Sequence, residues 1–233
     1  MTADIKNASI LLVENNSELS YGLTNNLEVE GYNVSSVADG REGLNEALKN
    51  EFDLIILDLV LPTYDGYYIL SRIRGEGIDT PVVVVSEKAE ELDKVRCFRL
   101  GADDFVSKPF GTMELLVRIE AILRRSFNYN GSSANSWEFD DIQVNTSSRK
   151  VIKSGKTLQM TPLEFDLLVA LLQQKGKVVP RQDLLREVWG HSNSIHSRTV
   201  DTHIAELRNK IENTPSRPQY IKTVPKVGYR MEV

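Results

Sequence analysis

The chain has 233 residues, 41% of them hydrophobic and 26% charged, and a formal net charge of −5; this length suits two domains, each able to bury its own core. A single cysteine, Cys97, excludes an internal disulfide and, with no Cys pair, a zinc ribbon or finger. No apolar stretch approaches a membrane span and the start, MTADIKNAS, has no signal-type apolar region, so a cytoplasmic protein is expected. Residues 1–136 hold 13 Lys and Arg against 22 Asp and Glu, net −9, whereas residues 137–233 hold 15 against 11, net +4. An acidic module joined to a basic one suggests a regulatory or catalytic unit tethered to one that meets polyanions.

In the first half, Ser9–Val13 reads as a buried strand, and Leu19, Leu23 and Leu27 recur at helical spacing until Gly31. Tyr32–Val37 alternates as a strand, Asp39 caps the next helix, and Leu44, Ala47 and Leu48 face its core. Phe52–Pro62 (FDLIILDLVLP) follows, an apolar run ending on Asp58 that predicts a strand buried on both faces. Asp65-Gly66 is read as a turn before a short helix with Leu70 and Ile73. Pro81–Val85 is another buried strand, Leu92, Val95 and Leu100 mark a helix, and Phe105-Val106 is a short last strand. A helix with Leu115, Leu116, Ile119, Ile122 and Leu123 closes the half. Five alternations of strand and helix predict an α/β doubly wound, five-stranded parallel sheet.

In such sheets ligands collect at the carboxyl ends of the strands. Those ends carry Glu14 and Asn15, Asp58, Ser86, and Lys108-Pro109. A carboxylate nucleophile, further oxygen ligands for a hard cation, a hydroxyl and an ammonium together suit phosphoryl transfer to Asp58 with Mg²⁺.

These residues, with Val13-Glu14, Leu61-Pro62, Asp65-Gly66 and Gly101-Ala102-Asp103-Asp104-Phe105 through Lys108-Pro109-Phe110, resemble the receiver of OmpR/PhoB-type two-component response regulators. The resemblance implies a flavodoxin/CheY-like receiver over residues 5–126. It makes Asp58 the phosphoacceptor, Lys108 the phosphate-sensing lysine, Ser86 the hydroxyl switch and Phe105 the aromatic switch. It assigns Mg²⁺ to Glu14, Asn15, Asp58 and the carbonyl of Val60. Two positions depart from the family. Asn15 stands where an acid is usual and adds no charge, and Glu87 stands where a small residue usually follows the switch hydroxyl. Both predict weakened Mg²⁺ binding and phosphorylation. The resemblance also implies a homodimer through Lys94, Arg99, Asp103, Asp104, Glu114, Arg118, Glu120 and Arg125, with Lys94–Glu114, Asp104–Arg118 and Asp103–Arg125 as cross-subunit pairs and Arg99 and Glu120 as a fourth.

Residues 127–136 (FNYNGSSANS) are polar and aperiodic and read as a linker. Beyond them WEF, IQV, KVI and TLQ predict a small antiparallel sheet, and Thr161-Pro162-x-Glu164 is a capping-box helix start. Leu163, Leu167, Leu168, Leu171 and Leu172 bury that helix, and Arg181–Trp189 forms another. After a polar loop, Gly190–Ser197, comes SRTVDTHIAELRNKI. Its Val200, Ile204, Leu207 and Ile211 make an apolar stripe, leaving Arg198, Thr199, Thr202, His203, Arg208 and Lys210 as exposed DNA-binding candidates. On this reading Arg208→Ala weakens DNA binding without unfolding the protein. A hairpin, Tyr220–Val224 and Val227–Glu232, completes an α+β winged helix-turn-helix over residues 137–233. His191 and His196 are read as loop residues rather than metal ligands, having no Cys partner and no ligand spacing.

This half resembles the OmpR/PhoB effector domain through Thr161-Pro162-Leu163-Glu164, Val188-Trp189, Arg198-Thr199-Val200-Asp201, His203-Ile204, Leu207-Arg208 and Val227-Gly228-Tyr229. Pro225-Lys226 replaces the family's usual Arg-Gly in the wing, leaving Lys226 as its DNA contact. The implied partners are double-stranded DNA, a sensor histidine kinase and RNA polymerase, the last through loop Gly190–Ser197. The expected function is a phosphorylation-gated transcriptional regulator, not an enzyme. The alternative is a phosphorylation-independent regulator controlled by dimerisation or a protein partner. An aspartate-nucleophile phosphatase is disfavoured because Val60 stands where such enzymes carry a second Asp.

Overall fold

A computed structural model describes residues 5–88, 90–128, 136–190 and 198–233. The chain divides into two compact units, Met1–Phe127 and Asn128–Val233.

The first unit runs β1 (Ser9–Val13), α1 (Ser17–Val29), β2 (Asn33–Val37), α2 (Gly40–Ala47), β3 (Leu54–Asp58) and α3 (Gly66–Gly75). It continues through β4 (Val82–Ser86), α4 (Glu91–Arg99), β5 (Asp104–Ser107) and α5 (Thr112–Asn128). The strands form one parallel sheet in the order β2-β1-β3-β4-β5. Side-chain alternation sends Leu11, Val13, Ile55, Leu57, Val82 and Val84 to one face, against α2, α3 and α4. It sends Ile10, Leu12, Leu54, Ile56, Val83 and Val85 to the other, against α1 and α5. β3 and β4 are therefore buried on both sides, which is why their sequences show no polar face. α5 continues to Asn128, into the span expected as linker, and residues 129–135 of that span lie outside the described residues.

The second unit opens with an antiparallel sheet of β6 (Ser136–Phe139), β7 (Ile142–Asn145), β8 (Lys150–Lys153) and β9 (Lys156–Leu158). α6 (Pro162–Gln173) follows, and its capping box between Thr161 and Glu164 forms as the sequence predicts. Then come β10 (Val178–Pro180), α7 (Arg181–Trp189), α8 (Arg198–Ile211), β11 (Ile221–Val224) and β12 (Gly228–Met231). α6, α7 and α8 pack around one core containing Leu168, Leu184, Val200, Ile204 and Leu207, and β11–β12 forms the wing. β10 was not legible, because three residues are too few for a period. It pairs with β12, where Gly228 is required: a Cβ there would fall 1.9 Å from the Val179 carbonyl oxygen.

Candidate functional site

Register brings the strand ends together. Val13 lies opposite Leu57 and Val85 opposite Asp58, so Glu14, just past β1, and Ser86, closing β4, flank Asp58. Ser86 lies opposite Ser107, which places Lys108 at the same edge. Lys108 Nζ stands 2.6 Å from Asp58 Oδ2 and 2.7 Å from Glu14 Oε2. Both acids are buried, Asp58 at 4% exposure and Glu14 at 1%. Their other oxygens accept backbone N–H groups, Asp58 Oδ1 from Val60 (3.1 Å) and Glu14 Oε1 from Asn16 (3.0 Å). Burial disfavours the charged form of Lys108, but hydrogen bonds and attraction from Asp58 and Glu14 outweigh it and hold the ammonium above its ordinary pKa.

Ser86 is fully buried, and its hydroxyl accepts from the Lys88 N–H at 3.2 Å. Phe105 is also buried, with Lys94 Nζ 5.7 Å from its ring centre. A cavity of about 520 Å³ opens beside Lys108, lined by Leu19, Glu87, Lys108, Pro109 and Phe110. Glu87 is exposed and thus sets a carboxylate in the wall of the space from which Lys108 is reached.

Two converging carboxylates with the exposed Asn15 amide beside Glu14 form an oxygen-only donor set, the type a hard cation takes. Among the described residues, no group of three or more His, Cys, Asp and Glu side chains is placed to hold a metal. The set fits Mg²⁺ with one charge fewer than a third acid would supply.

Sequence reasoning took Gly66 for a turn residue only. Asp65 caps α3 by accepting the Tyr68 N–H at 2.7 Å, and Gly66 then passes against the backbone of Asp58. A Cβ on Gly66 would fall 2.3 Å from the Asp58 carbonyl oxygen. A Gly placed after a capping Asp and eight residues beyond the strand-end acid was the available signal.

The charged face expected to pair between subunits is largely paired within the chain. Asp103 is 1% exposed and turned inward, accepting from the Val82 N–H (2.8 Å) and lying 3.2 Å from Arg74 Nη2 of α3, which removes it from an Asp103–Arg125 contact. Arg118 is buried and bridges Asp104 (2.8 Å) and Glu114 (2.7 Å) of its own chain, so Asp104–Arg118 forms internally and Glu114 is engaged away from Lys94. Sequence could not show this, because two adjacent acids at a strand start point in different directions. Arg99 and Glu120 are exposed, and the Arg125 side chain lies outside the described residues.

The DNA-binding candidates need similar correction. Thr199 and His203 are buried rather than exposed, at 9% and 1%, with the His203 ring packed 5.4 Å from that of Trp189. The buried stripe of α8 is wider than its aliphatic residues because the helix packs on both α6 and α7. Arg208 is half-buried and donates to the Ile221 carbonyl (3.1 and 2.6 Å) and to Thr223 Oγ1 (2.9 Å); desolvation lowers its pKa. Lys210 is ion-paired with Glu164 of the α6 capping box. Thr202 is half-buried on α8 and Lys226 is exposed at the wing tip with positive φ. The Arg198 side chain, His191, His196 and loop residues 191–197 lie outside the described residues.

Residues 10–120 match the family model described as response regulator receiver domain, and residues 155–231 match that of transcriptional regulatory protein, C terminal. The chain is 38% identical to the alkaline phosphatase synthesis transcriptional regulatory protein PhoP of Bacillus subtilis, over 97% of both chains. It is 39% identical to the response regulator ArlR of Staphylococcus aureus, over 94% of this chain and 97% of that one. Among solved structures, a RitR mutant superposes with a TM-score of 0.80 at 27% identity, covering 97% of this chain and 99% of that one. DrrB of Thermotoga maritima, an OmpR/PhoB homolog, gives 0.52 at 31% identity with the same coverage.

Proposed function

Since the chain belongs to the two-component response regulators, joining a receiver domain to a DNA-binding transcriptional regulatory domain, we propose that Asp58 accepts a phosphoryl group whose presence controls promoter binding. An Asp58 carboxylate oxygen attacks the phosphorus of the donor, a phosphohistidine of a sensor kinase. A P–O bond forms to Asp58, and the bond from phosphorus to the donor breaks with its electron pair leaving on the donor. The single observation carrying this reading is the Lys108 ammonium 2.6 Å from Asp58 Oδ2, a compact cation already at the nucleophile. Glu14, Asp58, the Asn15 amide oxygen and the Val60 carbonyl would hold Mg²⁺, which would supply neutralisation of phosphate charge. Ser86 and Phe105 report the acyl phosphate to the α4–β5–α5 face, where homodimers form. The second unit, through α8 and Lys226, binds double-stranded DNA and meets RNA polymerase, in the cytoplasm. Among the described residues no helix is long and apolar enough to cross a membrane.

A second reading, regulation without phosphorylation by dimerisation or a protein partner, is favoured by one arrangement. Asn15 withholds a third charge beside Glu14, and Glu87 adds a carboxylate to the lining of the cavity beside Lys108.

Incubation with Mg²⁺ and acetyl phosphate, read by intact mass beside Asp58→Ala, separates the two. A donor-dependent gain of one phosphoryl group, absent from the variant, supports gating. No gain with DNA binding retained supports the second reading.

A further inference from the structure

Among the described residues outside glycine that take a positive φ, Thr63 is the one that is β-branched, at +66°, a conformation its Cβ substituents oppose. It is the apex of a three-residue turn in which the Tyr64 N–H donates to the Pro62 carbonyl at 2.8 Å, the strained form of that turn. The turn lies in the β3–α3 loop, whose two ends are pinned at the site. The Val60 N–H donates to Asp58 Oδ1 at 3.1 Å, and the Gly66 N–H donates to the Leu59 carbonyl at 3.1 Å. The apex is held from the start of α2. Thr63 Oγ1 donates to Asp39 Oδ2 at 2.5 Å, and the Gly40 N–H donates to the Pro62 carbonyl at 3.0 Å. Asp39 follows β2 and Thr63 follows β3, so this bond joins the two loops that flank β1, whose end carries Glu14 and Asn15.

A strained residue persists only where its surroundings over-determine it. Asp39 caps α2 with one oxygen alone, Oδ1, which accepts the Arg41 and Glu42 N–H groups. Its other oxygen fixes the loop that carries the Val60 carbonyl. We propose that Asp39 is a positioning residue for the Mg²⁺ site, acting through Thr63: their hydrogen bond holds the β3–α3 loop in the conformation that sets the Val60 carbonyl beside Glu14, Asn15 and Asp58. The inference rests on the assignment of those four residues to Mg²⁺ and deepens it. Without the bond, a β-branched residue leaves the positive-φ region and the turn after Val60 opens. Glycine takes such a φ without help, so a glycine at position 63 needs no clamp.

The test is calorimetric titration of the full-length chain with Mg²⁺. The wild type is compared with Thr63→Val, Asp39→Ala, Thr63→Gly and the double variant Asp39→Ala/Thr63→Gly, with circular dichroism confirming that each is folded. Thr63→Val keeps the β-branch and lacks the hydroxyl, so it is expected to bind Mg²⁺ about tenfold more weakly, as is Asp39→Ala. Thr63→Gly stays within about twofold of the wild type, and adding it to Asp39→Ala restores the affinity lost there. Wild-type affinity in Thr63→Val and Asp39→Ala overturns the proposal. So does a loss in Asp39→Ala that Thr63→Gly fails to restore, because the effect then belongs to the α2 cap or to the charge of Asp39. Both results leave the Mg²⁺ site standing. No Mg²⁺ uptake by the wild type overturns the assignment of the site, and this inference with it.

Discussion

Arg208 donates from Nε and Nη2 to the carbonyl of Ile221, at 3.1 and 2.6 Å, and so ties α8 to the first strand of the wing. Glu212, just past the helix, accepts the Ile221 N–H at 2.8 Å, so both backbone polar groups of one buried residue are held from the same helix. Arg208→Ala leaves that carbonyl without its charged donor. A stability loss of about 1–3 kcal/mol is expected, with weaker DNA binding as its consequence. Thermal melting beside gel-shift titration checks this. Weakened binding with an unchanged Tm would return Arg208 to the DNA-contact role its sequence position suggests.

The Lys108 bridge makes a prediction about charge. Lys108→Met leaves Asp58 and Glu14 buried without their cation, at an expected cost of about 3–5 kcal/mol. Lys108 has a raised folded pKa, so its stabilisation is complete below the ordinary lysine value and is lost as pH rises through the folded one. Millimolar Mg²⁺ should raise the Tm of the variant more than that of the wild type. Equal shifts would show that lysine and metal do not share the site.

Asp58 and its neighbours were legible because a parallel sheet makes strand ends adjacent whatever the intervening helices contain, and FDLIILDLVLP and PVVVV mark those strands unmistakably. The apolar stripe of α8 was legible for the same reason, periodicity alone. The partners of Arg208, Lys210 and Asp103 were not. Arg208 and Lys210 are defined by Ile221 and Glu164, and Asp103 by Arg74, partners set by packing between distant elements. A cation on an amphipathic helix reads identically in sequence whether it meets a phosphate or a carbonyl. Gly66 was legible as a turn but not as a clearance, since nothing local records that the Asp58 backbone passes beside it.

Gly66→Ala therefore tests the architecture of the site. Its φ is unexceptional, so the cost comes from the Cβ meeting the Asp58 carbonyl oxygen, which forces β3 or α3 to shift. A loss of about 1–3 kcal/mol is expected, together with slower acetyl phosphate labelling than any equally destabilised variant of the second unit. Urea denaturation and intact-mass time courses measure the two. Full labelling at wild-type rate would show that Asp58 tolerates the displacement.

Tyr229 predicts how the wing responds to alkali. Its hydroxyl donates to Asp201 at 2.5 Å, and burial, reinforced by that hydrogen bond, pushes the phenol up to about 12. The unfolded chain releases this proton near pH ~10, so folding there holds a proton that unfolding gives up. The resulting stabilisation is complete below pH ~10 and is lost as pH rises towards about 12. Urea midpoints across that range should fall for the wild type. They should fall less steeply for Tyr229→Phe, which below pH ~10 starts about 0.5–1.5 kcal/mol lower for want of the hydrogen bond. Tyr220, pushed up to about 12 by burial and by its bond to Asp140, continues to titrate in that variant, so the slope is reduced and not abolished. Parallel slopes in the two proteins would mean that the Tyr229 proton is not held by the fold.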